Sequence, residues 1–418
     1  MKIIKRCTIF FLISIIVSSV FNCIFIPEKP VYAVEQNNLS TSSNSDAKKS
    51  ESIMDEIKIE SLDDSTQKQI NNLYEYINKM KNNVELMNDL DPVQYIKEYI
   101  KNGEGDFNIK SLSKALTSIL FKEVGSVLKL IISIVTIVII CSLIKILQYA
   151  FSSDNVSEIA FYACYALIIM ILSKSFIISI GVAKDVILNI ADFMAALLPV
   201  LITMIAMVGG LTQAATLDPI ILAAVVFIPR IYSNIIIPLI LMGFVLGFAN
   251  NLSNDHKITN LCKLLKQCTL WMQGIIITVF IGVLTVRGIT SKTIDAVTLK
   301  TTKFAVDNFI PIVGKTFSDA IASIAGYSLI IKNAISSVGL LIIVLILLYP
   351  IIKLVLMTVI YKLAAALIEP ISDPRITNSV AAAGDSMTLI ISCVLSVSLM
   401  FFILIALVAS SGLFIVGG

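Results

Sequence analysis

Four ionisable side chains stand inside long apolar stretches of this sequence: Lys174, Asp192, Arg230 and Lys353. A charge at mid-bilayer costs at least about 2.5 kcal/mol, so such residues either reach the interface or are kept for a function. Lys174 and Lys353 lie two-thirds along their stretches, where a long stem carries the ammonium out to the headgroups. Asp192 and Arg230 are harder to relieve in that way. They pair with each other across a helix bundle or line a polar path, and the sequence leaves both readings open.

Other chemistry lacks its residues. The chain carries no P-loop, no HExxH helix and no paired Cys or His at metal-ligand spacing. The single histidine, His256, shares a polar stretch with Cys262 and Cys268, at a spacing that fits no standard zinc site. An intramembrane protease needs two aspartates or a Ser–His pair at depth, and Asp192 has no mate there. The reading is therefore non-enzymatic: no catalytic residue, cofactor or metal is expected.

The elements that position these residues follow from composition. Of 418 residues, 57% are hydrophobic and 15% charged, with mean hydropathy +0.90, whereas a soluble domain carries about 25% charged residues. Too few charges exist to cover a soluble globule of this size, which makes this an integral membrane protein, and with no β pattern an all-α one. Residues 34–118 hold fifteen acids against ten lysines, a local charge of −5, while most of the surplus basic residues edge the apolar runs. That distribution gives no nucleic-acid footprint.

Residues 1–33 read as a signal peptide: MKIIKR, an apolar core, then a small residue at Ala33. The core is long, so an uncleaved anchor is the alternative. Residues 34–64, rich in Ser, Asn, Asp and Lys, read as a flexible linker. Residues 65–120 read as a small helical extracytoplasmic region. Within it Ile70, Leu73, Ile77, Met80, Val84 and Met87 form one helical stripe, and Asp91-Pro92 opens a second amphipathic helix through Val93, Ile96 and Ile100. Such a stripe packs within the chain, lies on the membrane or docks a partner helix outside it.

Residues 121–418 form the polytopic domain. Spans are expected at 127–147, 159–180, 186–208, 220–248, 270–286, 338–361 and 389–416, seven helices after the signal peptide. The fourth is interrupted by Pro229-Arg230 and Pro238; taken as one span, it puts the basic region 287–337 in the cytoplasm. Phe317, Ile321, Ile324, Ser328, Ile331 and Ile335, with Lys332 among them, suggest an interfacial helix. Gly243 and Gly247 supply small-xxx-small spacing for helix packing. Gly209-Gly210 marks a sharp break, and residues 363–386 a polar elbow.

LLPVLITMIAMVGG, PRIYSNIIIPLILMGFVLGF, TVRGIT leading to KFAVDNFIPIVGKTFSDA, and IEPISDPRITNSVAAAGDS together resemble the stage III sporulation protein AE family of endospore-forming Firmicutes. The Ile- and Lys-rich composition fits a clostridial source. The resemblance implies a multi-pass protein of the mother-cell membrane around the engulfed forespore. It also implies membership of a channel-like, secretion-like complex with the other stage III sporulation A-operon proteins and, through them, stage II sporulation protein Q. That complex serves forespore maintenance and late forespore gene expression, and this family would be its permease-like component. No functional residue is carried over with it. Two other functions are weighed beside it: a stand-alone secondary transporter, and a scaffold acting through its ectodomain.

Overall fold

The computed structural model describes residues 64–83, 124–125, 128–129, 131–140, 142–143, 154–252, 258–309 and 314–410. The signal peptide, the linker up to residue 63, the helix expected after Asp91-Pro92, His256, and Val84 and Met87 of the stripe lie outside the described residues.

Every described regular element is helical: α1 (Asp64–Asn83), α2 (Ile131–Ile140), α3 (Asp154–Met207), α4 (Leu211–Ile231), α5 (Ile237–Leu252), α6 (Thr259–Phe309), α7 (Gly314–Ile368) and α8 (Pro374–Ala409). One π-helical turn, Tyr232–Ile236, joins α4 to α5. The all-α polytopic architecture forms as expected, but with a different helix count. Among the described residues, five helices are long and apolar enough to cross a bilayer, and α2 is a shorter apolar helix inside the first expected span.

The difference lies mainly in α3, which joins the spans expected at 159–180 and 186–208 into one helix of 54 residues, roughly 80 Å long. The polar stretch between them contains no proline, and Gly181 has open space around it. Hydropathy dips there because Lys184 and Asp185 are polar, yet Asp185 points to the exposed face and the backbone keeps its own hydrogen bonds. α7 makes a second correction. The interfacial helix expected around 317–335 is continuous with the span after it, and Ser328, Lys332 and Ile335 are buried in the bundle.

Helix ends follow local chemistry. α3 stops at Gly209, whose φ of 95° suits a residue without Cβ. Gly210 N–H donates to Ile205 O at 2.9 Å and Gly209 N–H to Ala206 O at 3.0 Å, closing the end in a Schellman-like turn. The π-turn has its own cause: Pro238 cannot donate to the Asn234 carbonyl, and the ladder widens so that Ile237 N–H reaches Tyr232 O.

α8 lies at the centre, packed on α3, α5, α6 and α7. The starts of α3, α6 and α8 and the ends of α5 and α7 share one end of the bundle, and the ends of α3 and α8 share the other. Tight crossings occur at glycines that the sequence pattern does not flag. A Cβ on Gly339 would stand 2.7 Å from Leu197 Cδ2, and one on Gly384 would stand 3.1 Å from Lys362 Cγ. Gly243 and Gly247 face Leu265 and Ala382 at ordinary contact distances, 4.0 and 3.7 Å.

The α1 stripe is covered by the chain itself. Ile70, Leu73 and Ile77 are buried against α3 in the main core, because an amphipathic helix beside an apolar one gains most by burying its stripe there. The side chain of Met80 lies outside the described residues. Thr203 Oγ1 donates to Gln69 Oε1 at 2.9 Å, and the Tyr76 and Phe193 rings sit 6.4 Å apart.

Candidate functional site

The sequence-flagged charges do not converge. Asp192 and Arg230 are both exposed, and among the described residues no ion pair joins them. Asp192 lies instead beside α1. Burial, and then the Asp192 carboxylate, push the Tyr76 hydroxyl up to about 12, while burial alone takes Tyr74 to about 12. Lys174 is exposed. Lys353 is half-buried, its Nζ donating to Tyr349 Oη at 3.3 Å. Among the described residues the fully buried cation is Lys332, whose Nζ donates to Ala409 O at 2.9 Å. The last carbonyls of α8 lack intrahelical donors, and an ammonium there also suits the helix dipole.

Among the described residues, two polar groupings inside the bundle bring several side chains from different helices together. The first is the elbow. Asp373 caps α8, accepting from the Arg375 backbone N–H at 3.0 Å and from Arg375 Nε at 3.2 Å, with Pro374 at the first helical position. The guanidinium lies 3.6 Å from the centroid of the Phe161 ring, and Phe161 stacks on Tyr165 at 5.7 Å. Tyr165 Oη is 2.9 Å from Phe248 O and 2.7 Å from Ser379 Oγ, and Ser379 Oγ is 2.8 Å from Arg375 O. Every one of these groups has a partner, which ties α3, α5 and α8 together.

The second is a seam at the π-turn. Gln273 of α6 is buried; its Nε2 lies 3.1 Å from Cys393 Sγ, and its Oε1 accepts from Ser392 Oγ at 3.0 Å and Ser396 Oγ at 3.3 Å. Tyr232, fully buried on the π-turn, points its hydroxyl towards this group. Ser396 approaches it, but not within hydrogen-bond geometry, and the hydroxyl has no partner. Ser233, next on the turn, also keeps a buried hydroxyl without a partner. A buried, unsatisfied hydroxyl costs about 1–3 kcal/mol, and π-turns recur where helices carry function. The seam offers hydrogen-bonding capacity inside an apolar bundle. Among the described residues no group of three His, Cys, Asp or Glu side chains is placed to hold a metal ion.

A family model described as stage III sporulation protein AE matches residues 90–412. The chain belongs to that family. It is 32% identical over 317 residues to the stage III sporulation protein AE of Bacillus subtilis (strain 168), an alignment covering 76% of this chain and 79% of the relative. No solved structure matches it. This AE-family chain is thus a sporulation-associated membrane protein, and the descriptions of the matching family and relative name no catalytic activity. The residues of both the elbow and the seam fall within the matched stretch, whereas α1 precedes it.

Proposed function

We propose that this chain is a membrane subunit of the channel-like, secretion-like complex that links mother cell and forespore and supports forespore maintenance and late gene expression. The observation that carries this reading is the family match over residues 90–412. Its partners are the other stage III sporulation A-operon proteins and, through them, stage II sporulation protein Q, and its place is the mother-cell membrane around the forespore. The working part is the seam at the π-turn, where Tyr232 and Ser233 keep hydrogen-bonding capacity that the fold does not consume. Arg230, exposed two residues before that turn, and Asp192, apart from it beside α1, are separate candidate polar contacts.

The helix count supports one sidedness. With residues 65–120 outside, α2 enters, α3 emerges, α4 and α5 return, and the elbow lies in the cytoplasm. One feature supports this: α1 packs on the part of α3 that this count places outside. The count also moves the basic region 287–337, expected in the cytoplasm, to the outside, against the positive-inside tally.

Crosslinking in sporulating cells tests the assignment. The sibling A-operon proteins should be captured with this chain, and its deletion should stop development after engulfment with a collapsed forespore. Capture of no sibling, with normal sporulation in the deletion strain, would overturn it. The seam also favours a second reading, a stand-alone transporter, which requires solute uptake by the purified protein alone in liposomes.

A further inference from the structure

The exposed face of α8 between α6 and α7 changes character along its length. At the elbow end Asp385 Oδ2 accepts from Lys266 Nζ of α6 at 3.2 Å, and Asp385 Oδ1 is 3.5 Å from Lys362 Nζ of α7. All three side chains are about half exposed. Further along, the same face shows exposed Thr388, then half-buried Ser392 at the edge of the seam, and then exposed Leu395 and Leu399. Charge thus gives way to hydroxyl and then to hydrocarbon over roughly 20 Å of helix, close to the depth of one leaflet with its glycerol layer.

Two ammonium groups on one carboxylate leave a net positive charge, and each ammonium has three donors for a single acceptor oxygen. The lysines are presented by two helices that flank a third, a geometry that cradles an anion from both sides. Gly384 holds this spacing, since its Cα faces Lys362 Cγ and Tyr361 Cβ closely enough that a larger residue would push α7 away. Trp271 and Tyr162, both exposed at this end, are the side chains expected at a membrane–water interface.

We propose that this groove binds an anionic phospholipid, its phosphate between Lys266 and Lys362 and its acyl chain along Leu395 and Leu399. Asp385 keeps the two ammonium groups in place and tempers their charge, so that they grip the phosphate without locking the lipid there. Basic pockets between membrane helices recognise anionic headgroups in this manner.

The test uses the full chain in nanodiscs of phosphatidylcholine with or without a minority of phosphatidylglycerol, reading retained lipid by native mass spectrometry and stability by thermal unfolding. The wild-type protein should retain phosphatidylglycerol in preference and unfold at higher temperature with it. Lys266→Gln with Lys362→Gln should lose most of that preference, whereas Asp385→Asn, which breaks the ion pairs and leaves both lysines, should keep it. No preference in the wild type would overturn the proposal. So would its loss in Asp385→Asn, which would make the three residues a helix clamp only. Inorganic phosphate alone should give no stabilisation; an equal effect would replace the lipid by a soluble anion and overturn the proposal as well. If the double glutamine variant does not fold, Asp385→Asn decides.

Discussion

At the elbow, Asp373, Arg375, Tyr165 and Ser379 satisfy one another and the backbone around them; at the seam, Gln273, Ser392 and Ser396 satisfy one another while Tyr232 is left over. Both knots use α8, and both sit within one apolar bundle. These four side chains show what polar groups look like when their task is to hold helices together, each finding a partner, although the Thr377 hydroxyl beside them is, like those of Tyr361 and Ser336, buried without one. The seam keeps a group that costs stability where it stands, and such a cost is expected where function needs spare capacity or movement.

Breaking the elbow should produce the largest change. Arg375→Ala removes the cation over Phe161 and the side-chain half of its pairing with Asp373, while the backbone cap of α8 stays, a loss of about 2 kcal/mol. Thermal or denaturant unfolding in detergent checks it, and Arg375→Lys should recover only part, because an ammonium lacks the planar fork. At the seam the effect should be smaller: Gln273→Leu removes the acceptor shared by two serines, but Ser392 keeps Leu389 O at 2.8 Å, so about 1 kcal/mol is expected. If that substitution destabilised the protein as much as Arg375→Ala, the contrast between the two knots would vanish.

The smallest effect sharpens the comparison from outside the spans. Tyr74 and Tyr76 are raised from 10 to about 12 in the docked α1, so their contribution to docking is complete below pH 10 and is lost as pH rises through about 12. Tyrosinate absorbance and hydrogen exchange of α1 should therefore show it leaving α3 at alkaline pH.

The elbow was half legible in the sequence. Asp373-Pro374 is a local capping signal, and local signals survive in a linear reading; Phe161 and Tyr165, more than two hundred residues away, do not announce that they meet it. The seam was barely legible: Ser392 and Ser396 share a face of one helix at i,i+4 spacing, but only the packing of α6 on α8 brings Gln273 to them. The prolines around Tyr232 marked an interruption, yet whether it would kink, break or widen the helix is decided by which carbonyls find donors. The two spans that merged into α3 show the converse limit. Hydropathy averages side chains, and a helix ends only where its backbone does, as at Gly209. The α1 stripe was periodic enough to predict burial but carried no address for the partner, which turned out to be α3.

The central claim is that the unpartnered Tyr232 hydroxyl at the π-turn serves the protein's task in sporulation and not its fold. Tyr232→Phe tests it most directly, with unfolding of the purified protein and the yield of heat-resistant spores measured for the same variant as the sole copy. The account predicts a protein as stable as the wild type, or up to about 1 kcal/mol more stable because an orphaned hydroxyl is gone, together with a clear fall in spore yield. Normal spore yield from an equally stable Tyr232→Phe protein would contradict it.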